Sequence, residues 1–391
     1  MTVAVVRRAR ALTAVTAALR GDVGVLPDDP DGWSAFLELA SAHELLPAVW
    51  VSQAGVGQLT MPSPLAAALE RETPDGLAVP EALLRRAYDR NEARVQRLLD
   101  HGVDVLERLA AADIRAVPLK GLHSLLAGLW PDPAARTMAD LDVLVPAAHA
   151  TRAYDLLLGA GYVEHPEPIG EHADHHLPML RDGDVTVEVH VEPLVSRWRA
   201  LVPAAQMLRR AMYRPTARGV LLLADDTDTF VHLVAHAELQ EETHALFGLP
   251  LRALFETALV HQSEIRWRDV RESFAAAGVS RVLDAHLHAT RHWFGAEALP
   301  EPSEGSARRA AAHTRLVEVG VAEPALVEGW TYAVRVPRSF TADRMRTEFA
   351  PEDASHDPAD AGPAWLWTAR ARHVVRRVEA RLTRHEPPRA Q

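Results

Sequence analysis

The sequence predicts an α+β fold, in which a small mixed sheet lies between an N-terminal helical region and a C-terminal helical domain. Two observations lead to this prediction. Short β-branched runs alternate with turns and short helical stretches between residues 114 and 191. Apolar residues at helical spacing occur on both sides of that region. The predicted organisation is an N-terminal helical region at 1–112, an α/β core at 113–200, a C-terminal helical domain at 201–349, a linker at 350–363 and a basic helix at 364–391.

The elements of the N-terminal region follow from their apolar spacing. Residues 1–20 are predicted to form an amphipathic helix, and residues 33–50 a second helix that contributes to the core. Residues 81–112 carry one broad apolar face, on which Gly102 is a candidate break. Asn91 lies on that face, so we expect a buried amide that hydrogen-bonds a neighbouring backbone.

The predicted core contains three strands, at 114–119, 141–145 and 185–191, with helices at 122–130 and 147–159. Helical spacing then returns. The C-terminal helices are predicted at 230–240, 249–261, 267–277, 282–294 and 308–321. The arginine-rich segment 364–391 is predicted to form a basic amphipathic helix, and docking on the acidic surface of the protein is favoured over contact with an anionic partner.

Composition excludes several classes of function. The net charge of −11 repels phosphate backbones, so binding to a long nucleic acid is not expected. The absence of cysteine excludes disulfides, thiolate zinc sites, iron–sulfur clusters and a cysteine nucleophile. No apolar stretch has the length of a membrane span, and arginines interrupt the apolar runs of residues 1–20. We therefore expect a cytoplasmic protein.

Lys120 stands out because it is the single lysine among the 42 basic residues. Lysine and asparagine both use A-rich codons, and their scarcity indicates a GC-rich bacterial genome. Arginine replaces lysine easily on a solvated surface, but not where a compact ammonium must fit. Lys120 is therefore a candidate for a position with a chemical requirement, although it could also have escaped the codon bias by chance or pair with an acid such as Asp142.

Two aspartates on the second predicted strand form a candidate metal site. At the period of a strand, the carboxylates of Asp140 and Asp142 project from the same face. Like charges repel unless a cation lies between them, and Mg²⁺ accepts one or two carboxylates together with substrate phosphates. The alternative is that Asp140 only caps a turn and that Asp142 is incidental.

Two further segments extend this candidate site. On the third strand, Glu188 and His190 share one face, so Glu188 becomes a third carboxylate if the two strands are neighbours. Lys120 and Gly121 end a strand and begin a helix, where backbone N–H groups can receive phosphate. Arg136 precedes the aspartates closely enough to reach the same phosphates.

This ordered set resembles the polymerase-β-type nucleotidyltransferase superfamily, and more closely the uncharacterised nucleotidyltransferase family. The matching motifs are Leu119-Lys120-Gly121, Trp130-Pro131-Asp132-Pro133, Arg136, Asp140-Leu141-Asp142, His175-His176-Leu177-Pro178 and Glu188-Val189-His190. The resemblance implies transfer of a nucleoside monophosphate, with AMP from ATP as the expected case, to an acceptor hydroxyl or phosphate. It also implies two Mg²⁺ ions, with Mn²⁺ as a substitute, held by Asp140, Asp142 and Glu188.

The resemblance further implies a nucleotide site formed by Lys120, Gly121 and Arg136. Leu122 follows Gly121 where the superfamily has serine or glycine, so Ser124 is expected to supply the hydroxyl contact. His175, His176 and His190 are candidates for substrate contacts. A competing hypothesis places zinc among His172 and these three histidines, because imidazole is a common zinc ligand.

Two other classes of function stay open from the sequence. One is a nucleotide-binding regulatory module with little turnover, and the other is a metal-dependent phosphohydrolase that uses the same acids. The acceptor is also open, because a small molecule, a peptide and a protein side chain all suit the acidic charge of the chain.

Overall fold

A mixed sheet forms the centre of the fold, as predicted, but it has five strands rather than the predicted three, because β3 and β4 are too short to give an alternating pattern. The computed structural model describes residues 3–22, 26–54, 79–165, 174–260, 264–303 and 305–339. The strands are β1 (Val117–Pro118), β2 (Asp140–Leu144), β3 (Val163–Glu164), β4 (Leu180–Asp182) and β5 (Val185–His190). Their spatial order is β1-β2-β5-β4-β3. β2 and β5 run parallel, and the other neighbouring strands run antiparallel.

The pairing of β2 with β5 brings the predicted acidic strands together. Asp142 lies opposite Glu188, and Leu144 lies opposite His190. The alternate residues of both strands are apolar and fully buried, which anchors this face of the sheet in the core and fixes the register. The polar residues of both strands therefore share the other face.

Four helices lie in the described residues that precede the sheet: α1 (Val3–Leu19), α2 (Pro30–Ala42), α3 (Leu46–Ala54) and α4 (Val79–Ala111). The single helix predicted at 33–50 is wrong, because Glu44 adopts a φ of +58° and separates α2 from α3. Gly102 does not break α4. A Cβ at Gly102 would lie 2.6 Å from Leu122 Cδ1, so this glycine allows α4 to approach the following helix closely.

Two short helices flank the sheet, α5 (Lys120–Leu126) and α6 (Ala150–Gly159). The strand predicted at 114–119 is reduced to two residues, because its single partner β2 is short and Lys120, with a φ of +44°, turns the chain into α5. Leu119 N still donates to Asp142 O at 2.9 Å, which continues the pairing to the edge of the candidate site.

The C-terminal half is helical, with a hairpin that the sequence pattern missed. The helices are α7 (Ala204–Arg210), α8 (Asp226–Ala235), α9 (Leu251–Leu259), α10 (Trp267–Ala276), α11 (Ser280–Phe294) and α12 (Ala307–Ala322), and a π-helical turn (His236–Gln240) extends α8. The hairpin consists of β6 (Met212–Thr216) and β7 (Gly219–Leu223). Pro215 lies inside β6, and a proline argues against a strand in a sequence pattern unless the strand is at an edge.

Two hydrophobic clusters support the sheet. The larger one joins the N-terminal helices to one face of β2 and β5 and to parts of α9 and α11. The smaller one joins Val117, Leu119 and Leu144 to the helices between α7 and α11. Residues 1–323 form one compact unit by their contacts. The predicted domain boundaries after residues 112 and 200 stay a prediction.

A second unit begins at Pro324, and its described part is α13 (Pro324–Ser339). The predicted linker at 350–363 and the predicted basic helix at 364–391 lie outside the described residues. Within the described ranges, no helix is both long enough and apolar enough to cross a membrane.

Candidate active site

Asp142 is the centre of the candidate site. Its side chain is almost completely buried, and its Oδ1 lies 2.7 Å from Lys120 Nζ and 2.8 Å from His190 Nε2. Lys120 donates from the start of α5, whereas His190 donates from the neighbouring strand β5. Two donors from different elements therefore converge on one carboxylate oxygen.

Glu188 and His190 complete a group with the chemistry of a metal site. His190 Nε2 lies 3.2 Å from Glu188 Oε2, and the ring of His190 is fully buried. Among the residues that the structure describes, Asp142, Glu188 and His190 form the one group whose potential ligand atoms all lie within 4.8 Å of one another. Two carboxylates and an imidazole fit a divalent cation.

Lys120 is the cation that lies among the acidic residues. Burial opposes its charge, but the carboxylates of Asp142 and Glu188 outweigh burial and raise the pKa of its ammonium. Its side chain keeps 25% of its area exposed, so it is less deeply buried than the side chain of Asp142. The pairing with Asp142 is one of the alternatives that the sequence left open for this lysine.

Asp140 and Asp142 have opposite electrostatic environments although they lie on the same strand face. Burial alone would raise the pKa of Asp142, but Lys120 and the hydrogen bond from His190 bring it well below its usual range. Burial and the charge of Asp142 raise the pKa of Asp140 from 3.8 to about 6. The negative charge of Asp142 is thus stabilised by its neighbours, whereas the negative charge of Asp140 is opposed by burial and by Asp142.

Asp140→Asn is expected to stabilise the metal-free protein. Because folding raises the pKa of Asp140, its carboxylate opposes folding above pH 6, and this cost disappears as the pH falls toward 3.8. The substitution should therefore raise the free energy of unfolding at pH 7.5 by about 1–2 kcal/mol. Urea unfolding with a chelator at pH 7.5 and 4.5 measures the effect. Equal stabilities at pH 7.5 would contradict the assignment, and the gain should shrink at pH 4.5.

Gly121 and Arg136 form a tight contact beside Lys120. A Cβ at Gly121 would lie 2.6 Å from Arg136 Nη1 and 2.8 Å from Met138 Sδ. Arg136 is buried, donates from Nε to Glu256 Oε1 at 2.8 Å and donates from Nη1 to Thr137 O at 2.8 Å. Its guanidinium thus supports the Gly121 turn and is engaged by protein oxygens rather than directed into solvent.

Gly121→Ala is expected to destabilise the protein by about 1–3 kcal/mol, the usual cost of overpacking a close contact. Arg136 cannot move away without breaking its buried ion pair with Glu256. Gly159→Ala is the matched control, because in the described part of the chain no atom beyond its chain neighbours and its own helix backbone lies within 4 Å of a Cβ at Gly159. Urea unfolding of both variants tests this steric explanation. If Gly121→Ala were as stable as Gly159→Ala, the explanation would be wrong.

Ser124 is buried, and its hydroxyl donates to Lys120 O at 3.0 Å. The expected phosphate contact of this hydroxyl is therefore replaced, in this structure, by a bond within α5. This bond supports the first turn of the helix that carries Lys120, where the backbone is turned by the positive φ.

The three predicted histidines lie together beside the carboxylates. The ring centroid of His175 is 4.7 Å from that of His176 and 5.2 Å from that of His190. His176 pairs with His190 in an antiparallel bridge, and its Nδ1 donates to Leu177 O at 2.7 Å. In the neutral tautomer that makes this bond, Nε2 is an acceptor. His172, part of the zinc hypothesis, lies outside the described residues.

Helix α4 holds the loop that leads into β2. Asn91 is buried and hydrogen-bonds backbone carbonyls, which confirms the sequence prediction for this residue. Its neighbours Tyr88 and Arg94, which the sequence pattern did not single out, face the same loop. Tyr88 Oη donates to Asp132 Oδ2 at 2.9 Å, Asn91 Nδ2 to Ala134 O at 2.7 Å and Arg136 O at 3.0 Å, and Arg94 Nε to Met138 O at 3.0 Å.

The C-terminal half supplies residues that sequence reasoning missed. Glu256 on α9 is buried and accepts from Arg136, and Gln240 on the π-helical turn contacts both Val195 N and the ring of His175. Burial, followed by the charge of Lys120, lowers the pKa of His232 to about 3, so this ring is neutral near the site. The only sequence signal for Glu256 was a charge within an apolar helical segment.

Comparison with known proteins places most of the chain in one family. A family model described as "Uncharacterised nucleotidyltransferase" matches residues 29–295, which is well over half of the chain. The matched span contains the carboxylates, Lys120, the three histidines and Glu256. No match was found among curated proteins.

Proposed function

The chain belongs to the uncharacterised nucleotidyltransferase family and is an enzyme of that kind, and from this premise we propose that it transfers AMP from ATP to a hydroxyl or phosphate of an acceptor. The acceptor oxygen forms a bond to the α-phosphorus while the bond from that phosphorus to the bridging oxygen breaks. Pyrophosphate leaves, and the proton of an acceptor hydroxyl passes to a base.

The register of β2 against β5 is the observation that carries this proposal. It places Asp142 opposite Glu188 and puts the ammonium of Lys120 on the same carboxylate cluster. In the proposed enzyme, Asp140, Asp142 and Glu188 hold divalent metal, Mg²⁺ or Mn²⁺. Bound metal would neutralise the triphosphate and stabilise charge as the leaving group departs.

Lys120 is the residue we propose for direct contact with the phosphates. Its side chain is partly exposed, and we propose that its ammonium exchanges its bond with Asp142 for a phosphate oxygen. Gly121, Ser124 and Arg136 would shape the nucleotide site. Because Arg136 and Ser124 are bonded to protein oxygens, we propose that they act by holding the turn that carries Lys120.

His175 and His176 lie on the proposed acceptor side of the site. His176 is partly exposed and presents an unprotonated Nε2 when neutral, so it can accept a hydrogen bond from an acceptor hydroxyl. His175 is buried, and its ring packs against the rings of His176 and His190. The net charge of −11 favours a small molecule, a peptide or a protein over a long nucleic acid as acceptor. The cytoplasmic location stays a prediction.

Product analysis tests the proposed function. The purified chain is incubated with α-³²P-ATP, Mg²⁺ or Mn²⁺, and a panel of hydroxyl- and phosphate-bearing acceptors. Pyrophosphate release that depends on the acceptor, with label on the acceptor, supports AMP transfer. Release of inorganic phosphate without labelled acceptor would instead support a phosphohydrolase. Nucleotide binding without turnover for every acceptor would support a regulatory module.

A further inference from the structure

We propose that Asp142, Glu188 and His190 bind one metal ion as a mixed nitrogen–oxygen site, and that His190 makes this site select Mn²⁺ over Mg²⁺. The proposal deepens the proposed function, on which its role in transfer rests. It assigns His190 to the metal rather than to the substrate. Asp140 lies outside this group and is not required for it.

The distances between the donor atoms support this assignment. Adjacent ligands of an octahedral ion with bonds near 2.1 Å are separated by about 3 Å. His190 Nε2 lies 2.8 Å from Asp142 Oδ1 and 3.2 Å from Glu188 Oε2. Both values are close to that separation, and the potential ligand atoms of Asp142, Glu188 and His190 all lie within 4.8 Å of one another. A bound metal ion would therefore take the place of the hydrogen on Nε2. The ring would bind as a neutral imidazole with its proton on Nδ1, and a second ring proton, where present, would pass to solvent.

His190 is held in this position more firmly than the other donor to Asp142. Its ring is fully buried on a central strand, and within the described part of the chain its Nδ1 has no hydrogen-bond partner. Nε2 is therefore the nitrogen that makes its polar contacts. Lys120, in contrast, keeps 25% of its side-chain area exposed. An entering cation would displace the ammonium of Lys120 and keep the imidazole as a ligand.

The nitrogen ligand determines the expected metal preference. Mg²⁺ demands oxygen ligands, retains several waters and dehydrates reluctantly. Imidazole nitrogen is a better ligand for first-row transition ions, which lie on the series that starts with Mn²⁺. A site that cannot remove its imidazole from the coordination shell therefore disfavours Mg²⁺. We expect Mn²⁺ to bind about tenfold or more tightly than Mg²⁺.

Pulsed electron paramagnetic resonance of Mn²⁺ tests the proposal without relying on activity. The full chain is stripped with a chelator and loaded with Mn²⁺ alone. Wild type should show ¹⁴N coupling from a directly bound imidazole, and Mg²⁺ should compete weakly for the ion. His190→Gln should lose this coupling and bind Mn²⁺ roughly ten- to hundredfold more weakly. His176→Gln is the matched control and should keep the coupling.

The outcomes separate this proposal from the proposed function. Stoichiometric Mn²⁺ binding without ¹⁴N coupling, no Mn²⁺ binding, or equal affinity for Mg²⁺ would each overturn the mixed site, whether or not the enzyme transfers AMP. Nitrogen coupling in a protein that transfers no AMP would overturn the proposed function alone. If His190→Gln does not fold, the spectrum and the metal competition of wild type still decide.

Discussion

Asp142→Asn is expected to lower kcat for nucleotidyl transfer by at least about 10³-fold, the upper scale for loss of one preorganised electrostatic group. The reason is that Oδ1 of Asp142 is where Lys120 and His190 converge. The substitution also leaves the buried donors without their anionic partner, so the free energy of unfolding should fall by about 3 kcal/mol. Steady-state assays below the melting temperature of the variant measure the first effect, and urea unfolding measures the second.

Asp284→Asn is the control that separates catalysis from stability. Asp284 on α11 is also buried, and its carboxylate accepts from Ser303 N at 2.9 Å and from Ser306 Oγ at 2.8 Å. Burial alone would raise the pKa of Asp284, but these bonds lower it, so its loss should destabilise the fold in a similar way. It should nevertheless retain transfer activity. An equal loss of kcat in both variants would show that Asp142 acts on stability alone.

Lys120→Ala is expected to weaken binding of ATP with metal by about 1.5–3 kcal/mol, which is roughly a ten- to hundredfold increase in Kd. Lys120→Arg should not restore affinity. A planar guanidinium is wider than an ammonium, and the ammonium occupies a confined position 2.7 Å from Asp142 Oδ1 beside His190. Calorimetric titration of ATP with Mn²⁺ measures these effects. Wild-type affinity and activity in Lys120→Arg would remove the assigned role of the lysine.

The backbone at Lys120 offers a second, independent comparison. Its φ of +44° lies in the region that favours glycine. Lys120→Gly should therefore be more stable than Lys120→Ala by about 1 kcal/mol, although both lose the ammonium and should bind ATP equally weakly. A difference in ATP affinity between the two variants would indicate that backbone strain, and not charge, controls binding.

Strands β2 and β5 and their acidic residues were predictable because their signals are local. Alternating residues assign Asp140, Asp142, Glu188 and His190 to strand faces without knowledge of any partner strand. The parallel pairing of β2 with β5 also agrees with the hypothesis that placed Glu188 beside the aspartates. The hairpin of β6 and β7 escaped prediction because Pro215 interrupts its pattern, and the break at Glu44 escaped because helical spacing continues through it.

The surroundings of Arg136 were not predictable. Its type and its position before Asp140 suggested a phosphate ligand, but its guanidinium is paired with Glu256, 120 residues further along the chain. No local pattern encodes that pair. The same limit applies to Ser124, whose hydroxyl has a nearby backbone oxygen as an alternative to phosphate.

The sequence by itself determined the α+β class, the strand that carries Asp140 and Asp142, and the alternation that puts Glu188 and His190 on one face. The tertiary structure decided which of these groups contact one another. Lys120 and His190 both donate to Asp142 Oδ1, whereas burial and the charge of Asp142 oppose the charge of Asp140. The physical reason is that these properties depend on residues at different distances along the sequence. Side-chain direction follows from the period of a few residues, whereas burial, pairing and pKa depend on groups that only the folded chain brings together.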